Sequence, residues 1–494
     1  MDFRMICRLL PLALVATAFL PAPSVASTGP VVEAPAGKVE GKASRGMHIF
    51  KGIPYAASPT GKLRWAPPQP LSAWQDVRDA TKFGPGPSIY AWDLPAMSED
   101  CLSLNIWAPE DASNAPVFLW IHGGSLTTGS GGDPLYDGSA LAERGMVVVS
   151  INYRLGALGY FAHPALSAES ADGVSGNYGL LDQIAALAWV KRNIGAFGGD
   201  AGNVTIAGES AGALSVMYLM AAPDARGLFH KAVAQSAYMV SAPALREKRN
   251  GMVPAEEQGV DLAAKLGASD LAALRALPAE EIVNKAPATG YFPFPVIDGK
   301  TVPRQLVETF DRNEQAPVPI LAGFNAGEIR SLRFLLPKAP ADAEVYEAAI
   351  RANYGEFADA FLARYPAKDI DESMLAATRD AMYGWTSERL VSNQAALGQP
   401  AYLYLFDHGY PATQQWKLHA FHAAELPFLF DTASKTPPLW PKIPDKLAER
   451  KLIDAMGDYW ASFARSGQPW AKGQPDWLPY SEDRAFIHFA DEPH

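Results

Sequence analysis

Residues 204–220 read VTIAGESAGALSVMYLM. The first four, Val204-Thr205-Ile206-Ala207, form an apolar run with β-branched residues and end at Gly208. From Ala211 to Met220 the residues are good helix formers. Between them, Gly208-Glu209-Ser210-Ala211-Gly212 fits G-x-S-x-G. Strand, tight turn and helix in that order set a serine hydroxyl on a sharp exposed elbow. The flanking glycines are needed because a side chain at either position would collide with the neighbouring strand or helix. Ser210 would then stand at a helix N-terminus, where the macrodipole favours developing negative charge. Ser210 is therefore the candidate nucleophile, and the competing reading is a Gly-rich strand–helix turn of the kind found in nucleotide-binding folds.

Working outward, the same alternation continues. Residues 117–121 (VFLWI), 146–151 (MVVVSI) and 320–324 (ILAGF) are further strand candidates, and 402–406 (YLYLF) is a weaker one. Runs apolar on both faces fit strands buried in a parallel sheet. Leu180, Ile184, Leu187, Val190 and Ile194 recur three or four apart and predict a helix over 180–194. The order predicts an α/β fold with a mostly parallel central sheet flanked by helices. Segments 245–285 and 340–400, rich in Ala, Leu and Glu, predict helical insertions over the catalytic end of the sheet.

The run at 117–121 leads into His122-Gly123-Gly124-Ser125, and a second Gly-rich stretch follows at 128–132. A tetrahedral intermediate needs backbone N–H groups aimed at its oxygen. The N–H groups of Gly124 and Ser125, with that of Ala211 after the nucleophile, are the candidate oxyanion-hole donors, and Gly123 shapes the turn. His122 sits where a loop-bracing residue is needed and is read as structural.

The chain has 494 residues, 48% hydrophobic and 19% charged, ordinary values for a globular protein. Its net charge of −11, without a long Lys/Arg run, argues against a nucleic-acid partner. At the N-terminus, Arg4 and Arg8 precede the apolar stretch 9–20 (LLPLALVATAFL) and a small-x-small site at Ser24-Val25-Ala26. That pattern predicts an export signal over 1–26 and a periplasmic or secreted protein with residues 27–494 as one catalytic domain. The alternative is an uncleaved anchor. No later segment is apolar enough to span a membrane. Cys7 and Cys101 are the two cysteines, so a mature chain would keep only Cys101 and could form no internal disulfide. No metal or organic cofactor is called for, and the oligomeric state is open.

Several stretches together resemble the type-B carboxylesterases, the group of bacterial para-nitrobenzyl esterases and cholinesterases. They are FKGIPYA at 50–56, SEDCLSLN at 98–105, WIHGGS at 120–125, INYRLGALGY at 151–160, residues 176–200, NVTIAGESAGA at 203–213, FHAAELPFLF at 421–430 and DYWASFARSGQP at 458–469. The resemblance implies the α/β-hydrolase fold and a serine esterase acting on small-molecule carboxylic esters. It also implies the partners of Ser210: Glu328 in the loop after 320–324, and His422 in the His-x-x-Glu-Leu-Pro segment. The chain order Ser, Glu, His is the one this fold requires. From the residues alone both assignments are open. His419 competes with His422, and a lone Glu after a strand reads equally as a solvated loop residue.

Three departures from the family pattern matter. The stretch 83–87 lacks the cysteine that often pairs near position 101, so that loop is expected to be untethered. Leu126 replaces an aromatic of many relatives and would reshape the acyl pocket. Arg330 and Arg333 stand where cholinesterases place aromatics, which argues against a choline pocket. If either faced the cavity, acidic esters would be favoured; otherwise both are solvated helix charges. Glu209 and Ser236 match family positions near the triad. Non-catalytic binding modules exist on this fold, but they lack triad members that this chain keeps. An amidase or a hydrolase for one specialised natural ester would use the same triad, and leaving-group choice would then rest on pocket shape. A lipase is disfavoured by the lack of a short amphipathic lid.

Overall fold

A computed structural model describes residues 29–87, 97–481, 483–491 and 493–494. The expected export signal at 1–26 lies outside the described residues.

The main sheet has ten strands. In chain order they are β1 (Lys42–Ser44), β2 (Met47–Pro54), β3 (Ser103–Pro109), β4 (Ala115–Ile121), β5 (Val147–Ile151), β6 (Gly199–Glu209), β7 (Lys231–Gln235), β8 (Ile320–Asn325), β9 (Ala401–Phe406) and β10 (Phe486–Phe489). Their spatial order is β10-β9-β8-β7-β6-β4-β5-β3-β2-β1. The seven strands from β10 to β5 run parallel. The last three, β3 to β1, are antiparallel. Each strand candidate from the sequence is a strand of this sheet.

Alternation along the strands divides the core between two faces. Val117, Leu119 and Ile121 of β4 pack on one side with Val204 and Ile206 of β6. Phe118 and Trp120 pack on the other with Ala207 and Val233. The first face is covered by α1 (Tyr178–Asn193) and α2 (Ala211–Ala221). The second is covered by α3 (Leu447–Ser466), through Met456, Trp460 and Phe463. The predicted helix at 180–194 is α1, and Leu180, Leu187, Val190 and Ile194 of its stripe are buried. A bidentate ion pair joins α1 to the chain just past β5. Arg154 Nη2 lies 2.7 Å from Asp182 Oδ1 and Arg154 Nε 2.8 Å from Oδ2.

Register lines up the carboxyl ends. Ile121 pairs with Gly208, Gln235 with both Glu209 and Gly323, and Asn325 with Phe406. Loops leaving these strands therefore meet at one end of the sheet.

Two expectations change. The helices of 255–288 do not roof that end. They pack on a flank against Trp65, Leu158, Phe161 and Leu166, because their apolar faces find a separate small core there. Helices of 343–396 reach the site only through Met382 and Tyr383. The loop around 83–87 is not untethered either. Asn152 Nδ2 donates to Pro85 O at 3.1 Å, Ser98 N to Gly86 O at 3.1 Å, and Lys51 sits over the Phe83 ring. Cys101 is a free, buried thiol whose pKa burial raises, so these contacts at 83–86 are non-covalent.

Candidate active site

Ser210 sits between β6 and α2 with φ 56° and ψ −122°, a strained conformation for a residue with a side chain. Tight packing holds the elbow there. A Cβ on Gly212 would lie 2.0 Å from Ile121 O, so only glycine lets the start of α2 approach β4. Ser210 is 8% exposed and opens into a cavity of about 840 Å3.

His422 Nε2 lies 2.8 Å from Ser210 Oγ. Its Nδ1 hydrogen-bonds Glu328 Oε2. Glu328 is fully buried at the start of the short helix Glu328–Ser331, and its Oε1 accepts from Asn325 N–H at 2.9 Å. The His422 loop is tied to the Glu328 loop through Gly327 N to Ala420 O at 2.8 Å and Asn325 Nδ2 to Phe421 O at 2.9 Å. Ser210, Glu328 and His422, far apart in the chain, thus meet at one spot. His419 does not compete: it turns away to Asp407 at 2.9 Å.

The loop after β4 adopts left-handed backbone at Gly124 (φ 102°), Ser125 (φ 56°) and Leu126 (φ 58°). Only the first is a glycine, so the loop carries more strain than its Gly-Gly pair indicated. A Cβ on Gly124 would lie 2.3 Å from Thr128 O. Among the described residues no backbone acceptor takes the N–H of Gly124 or Ser125, and that of Ala211 begins α2, where an amide has no partner within the helix. His122 is buried against the stacked Tyr153 ring, and burial lowers its pKa to about 4. It stays neutral and braces the loop, as read from the sequence.

Two more carboxyl groups lie beneath this arrangement. Glu209 Oε1 is 3.2 Å from His422 Nε2, and burial raises the Glu209 pKa against the pull of His422. Glu425, absent from the sequence reading as a site residue, is fully buried. It accepts from Gln235 Nε2 at 2.9 Å and Asn325 Nδ2 at 2.6 Å, and burial raises its pKa. Tyr383, whose ring centre is 5.4 Å from that of His422, was also missed. It sits on a π-helical turn at Asp380–Gly384, and no sequence period marks such a turn. Ser236 is buried behind the cavity and does not line it.

The cavity walls are mainly apolar, with Leu126, Leu214, Phe292, Phe334, Met382 and Trp440 among them. Arg330 and Arg333 do not line it. Arg330 of the short helix Glu328–Ser331 pairs with Glu372, and Arg333, just past it, with Asp371. The idea that they select acidic esters is therefore set aside. Among the described residues no group of three His, Cys, Asp or Glu side chains is placed to hold a metal ion.

The sequence profile of the carboxylesterase family matches residues 28–494. The chain belongs to the carboxylesterase family. It is a carboxylic ester hydrolase of the α/β-hydrolase fold. A fumonisin B1 esterase of Sphingopyxis macrogoltabida is 35% identical over 479 residues, covering 92% of this chain and 85% of that one. A para-nitrobenzyl esterase of Bacillus subtilis (strain 168) is 35% identical over 475 residues, covering 92% and 94%. Among solved structures, a PNB esterase aligns with TM-score 0.79 at 34% identity over 94% of this carboxylesterase and 97% of the other chain. A Geobacillus stearothermophilus carboxylesterase aligns with TM-score 0.80 at 35% identity over the same shares. No helix among the described residues is long and apolar enough to cross a membrane.

Proposed function

We propose that this carboxylesterase works through an acyl-enzyme on Ser210, with His422 as general base and acid and Glu328 as its orienting partner. His422 Nε2 takes the hydroxyl proton as Ser210 Oγ bonds to the ester carbonyl carbon. The carbonyl electron pair moves onto oxygen, which the N–H groups of Gly124, Ser125 and Ala211 hold. Collapse breaks the bond to the alcohol, which leaves with the proton from His422. Water repeats the sequence on the acyl-enzyme, releasing the carboxylic acid and free Ser210. Glu328 fixes the ring with Nδ1–H toward itself and stabilises the imidazolium. Nothing in these steps requires a cofactor.

The observation that carries this reading is the 2.8 Å contact between His422 Nε2 and Ser210 Oγ, with the far ring nitrogen on a buried carboxylate. An intact set of these groups argues against a non-catalytic binding module on the same fold. Ser210→Ala is expected to abolish turnover of para-nitrophenyl acetate in a protein whose circular dichroism is unchanged. Retained turnover in that variant would remove Ser210 from the role. Matched esters and anilides assayed together separate an esterase from an amidase.

Residues 1–26 are read as an export signal and 27–494 as one catalytic domain, making the enzyme periplasmic or secreted, with no nucleic-acid partner. Cleavage after Ala26 would leave a mature chain starting at Ser27. An intact Met1 on the exported protein would overturn that assignment.

A further inference from the structure

Two acidic side chains of the cavity wall, Glu209 and Asp133, have no part in the steps above, and of the two Glu209 contacts His422. Asp133 lines the cavity just past the second Gly-rich stretch. Its Oδ1 accepts from Leu135 N–H at 2.9 Å and caps the turn Pro134–Tyr136. Among the described residues nothing donates to its Oδ2, and no Lys, Arg or His pairs with it. Capping needs only an oxygen acceptor, which a neutral Asn supplies equally well. The turn therefore explains the side chain's shape and leaves its charge unexplained.

Asp133 is partly buried in the wall and, among the described residues, keeps one oxygen unpartnered. Burial raises the pKa of the Asp133 carboxyl, with only the capping amide pulling the other way. A carboxylate oxygen without a partner gains a charge-assisted hydrogen bond when an occupant brings a donor. The cavity offers no cation of its own beyond His422, since Arg330 and Arg333 are paired outside it. The second wall carboxyl, Glu209, has its pKa pushed up to about 8 by burial and supplies no cation either. Both lie near Tyr136, whose phenol burial pushes up and the two acids push further.

We propose that Asp133 determines specificity: its free oxygen accepts from an ammonium, or another N–H or O–H donor, carried by the ester away from the scissile bond. The enzyme's favoured substrates are then apolar esters with one cationic or donor end, and esters bearing a carboxylate are disfavoured. This deepens the acyl-enzyme reading and rests on it.

The test uses pairs in which –NH3+ replaces –CH3 with little change of shape. On the acyl half these are 4-nitrophenyl 6-aminohexanoate and 4-nitrophenyl heptanoate. On the alcohol half they are 6-aminohexyl butyrate and heptyl butyrate. In at least one pair the full-length enzyme is expected to favour the amino ester in kcat/KM by about tenfold, and Asp133→Asn is expected to bring that ratio to near one. Ratios near one in both pairs, or a preference that survives Asp133→Asn, overturn the proposal. Inhibition of the unaltered enzyme gives a second readout that needs no variant. Tighter inhibition by 6-aminohexanol than by heptanol, or by 6-aminohexanoate than by heptanoate, supports it, and no difference in either pair overturns it. Ser210→Ala separates the two readings. If that variant is inactive on every ester while the ratios stay at one, only the Asp133 assignment falls.

Discussion

The imidazole of His422 feels burial and three nearby carboxyl groups at once. Burial opposes its charge, but Glu209, Glu328 and Glu425 together outweigh burial and push its pKa up to about 9. A general base must be neutral to take the serine proton, so activity is gained as pH rises through this value. The acid-side limb of kcat/KM is therefore expected above the ordinary histidine value of about 6.5. Glu209→Gln removes the carboxyl group whose charge raises the His422 pKa most and is expected to shift the limb to lower pH; a limb that does not move would show that Glu209 is not coupled to His422. Asn325 is the other decisive single residue. Its side chain donates to Glu425 and to Phe421 O, and its amide to Glu328. Asn325→Leu strips donors from a buried carboxyl and a loop carbonyl. A loss of about 2–3 kcal/mol is expected in denaturant unfolding, with reduced kcat. An unchanged unfolding midpoint would mean water replaces the amide.

At the scale of elements, the elbow and the oxyanion loop depend on glycines at close approaches. Gly212→Ala would drive a methyl into Ile121 O and is expected to cost more than about 4 kcal/mol, measured by unfolding. Gly124→Ala would push the loop off Thr128 O and displace the proposed donors. A fall in kcat of about a hundredfold with a folded protein is the expected outcome. Elements with strong apolar runs were legible in the sequence: β4, β5, β6, β8 and β9, with α1 and α2. Those missed had weak or misleading patterns. Lys231–Gln235 (KAVAQ) is Ala-rich and carries no strand signature, yet it pairs on both sides in the middle of the sheet. Ser103–Pro109 contains Ser103 and Asn105, whose burial is possible because Asn105 bonds Gly52 N, Gly131 O and Ser150. Within the site, Ser210 and the Gly-Gly loop stood out because their chemistry is local. Glu328 and His422 were reached through the family resemblance. Asp133 and Tyr383 had no distinguishing motif, and Glu425, though it is the Glu of the His-x-x-Glu-Leu-Pro segment, gave no sign of its place, since only tertiary packing brings these residues to the cavity or its floor.

The whole molecule rests on its core rather than on covalent ties. Two apolar layers cover the sheet, and Cys101 is free and buried. The thermal midpoint is therefore expected to be the same with and without a thiol reductant, and a fall on reduction would reveal a disulfide. The same architecture explains the site. Parallel strands in register deliver the oxyanion loop from β4 and the segments after β6, β8 and β9 to one end, so Ser210, Glu328 and His422 converge there. The central claim is that the hydroxyl of Ser210 carries the acyl group. Treatment with a fluorophosphonate followed by intact-mass and peptide analysis tests it most directly. One adduct per chain, on Ser210, is expected; an adduct on a different serine, or none at all, would contradict it.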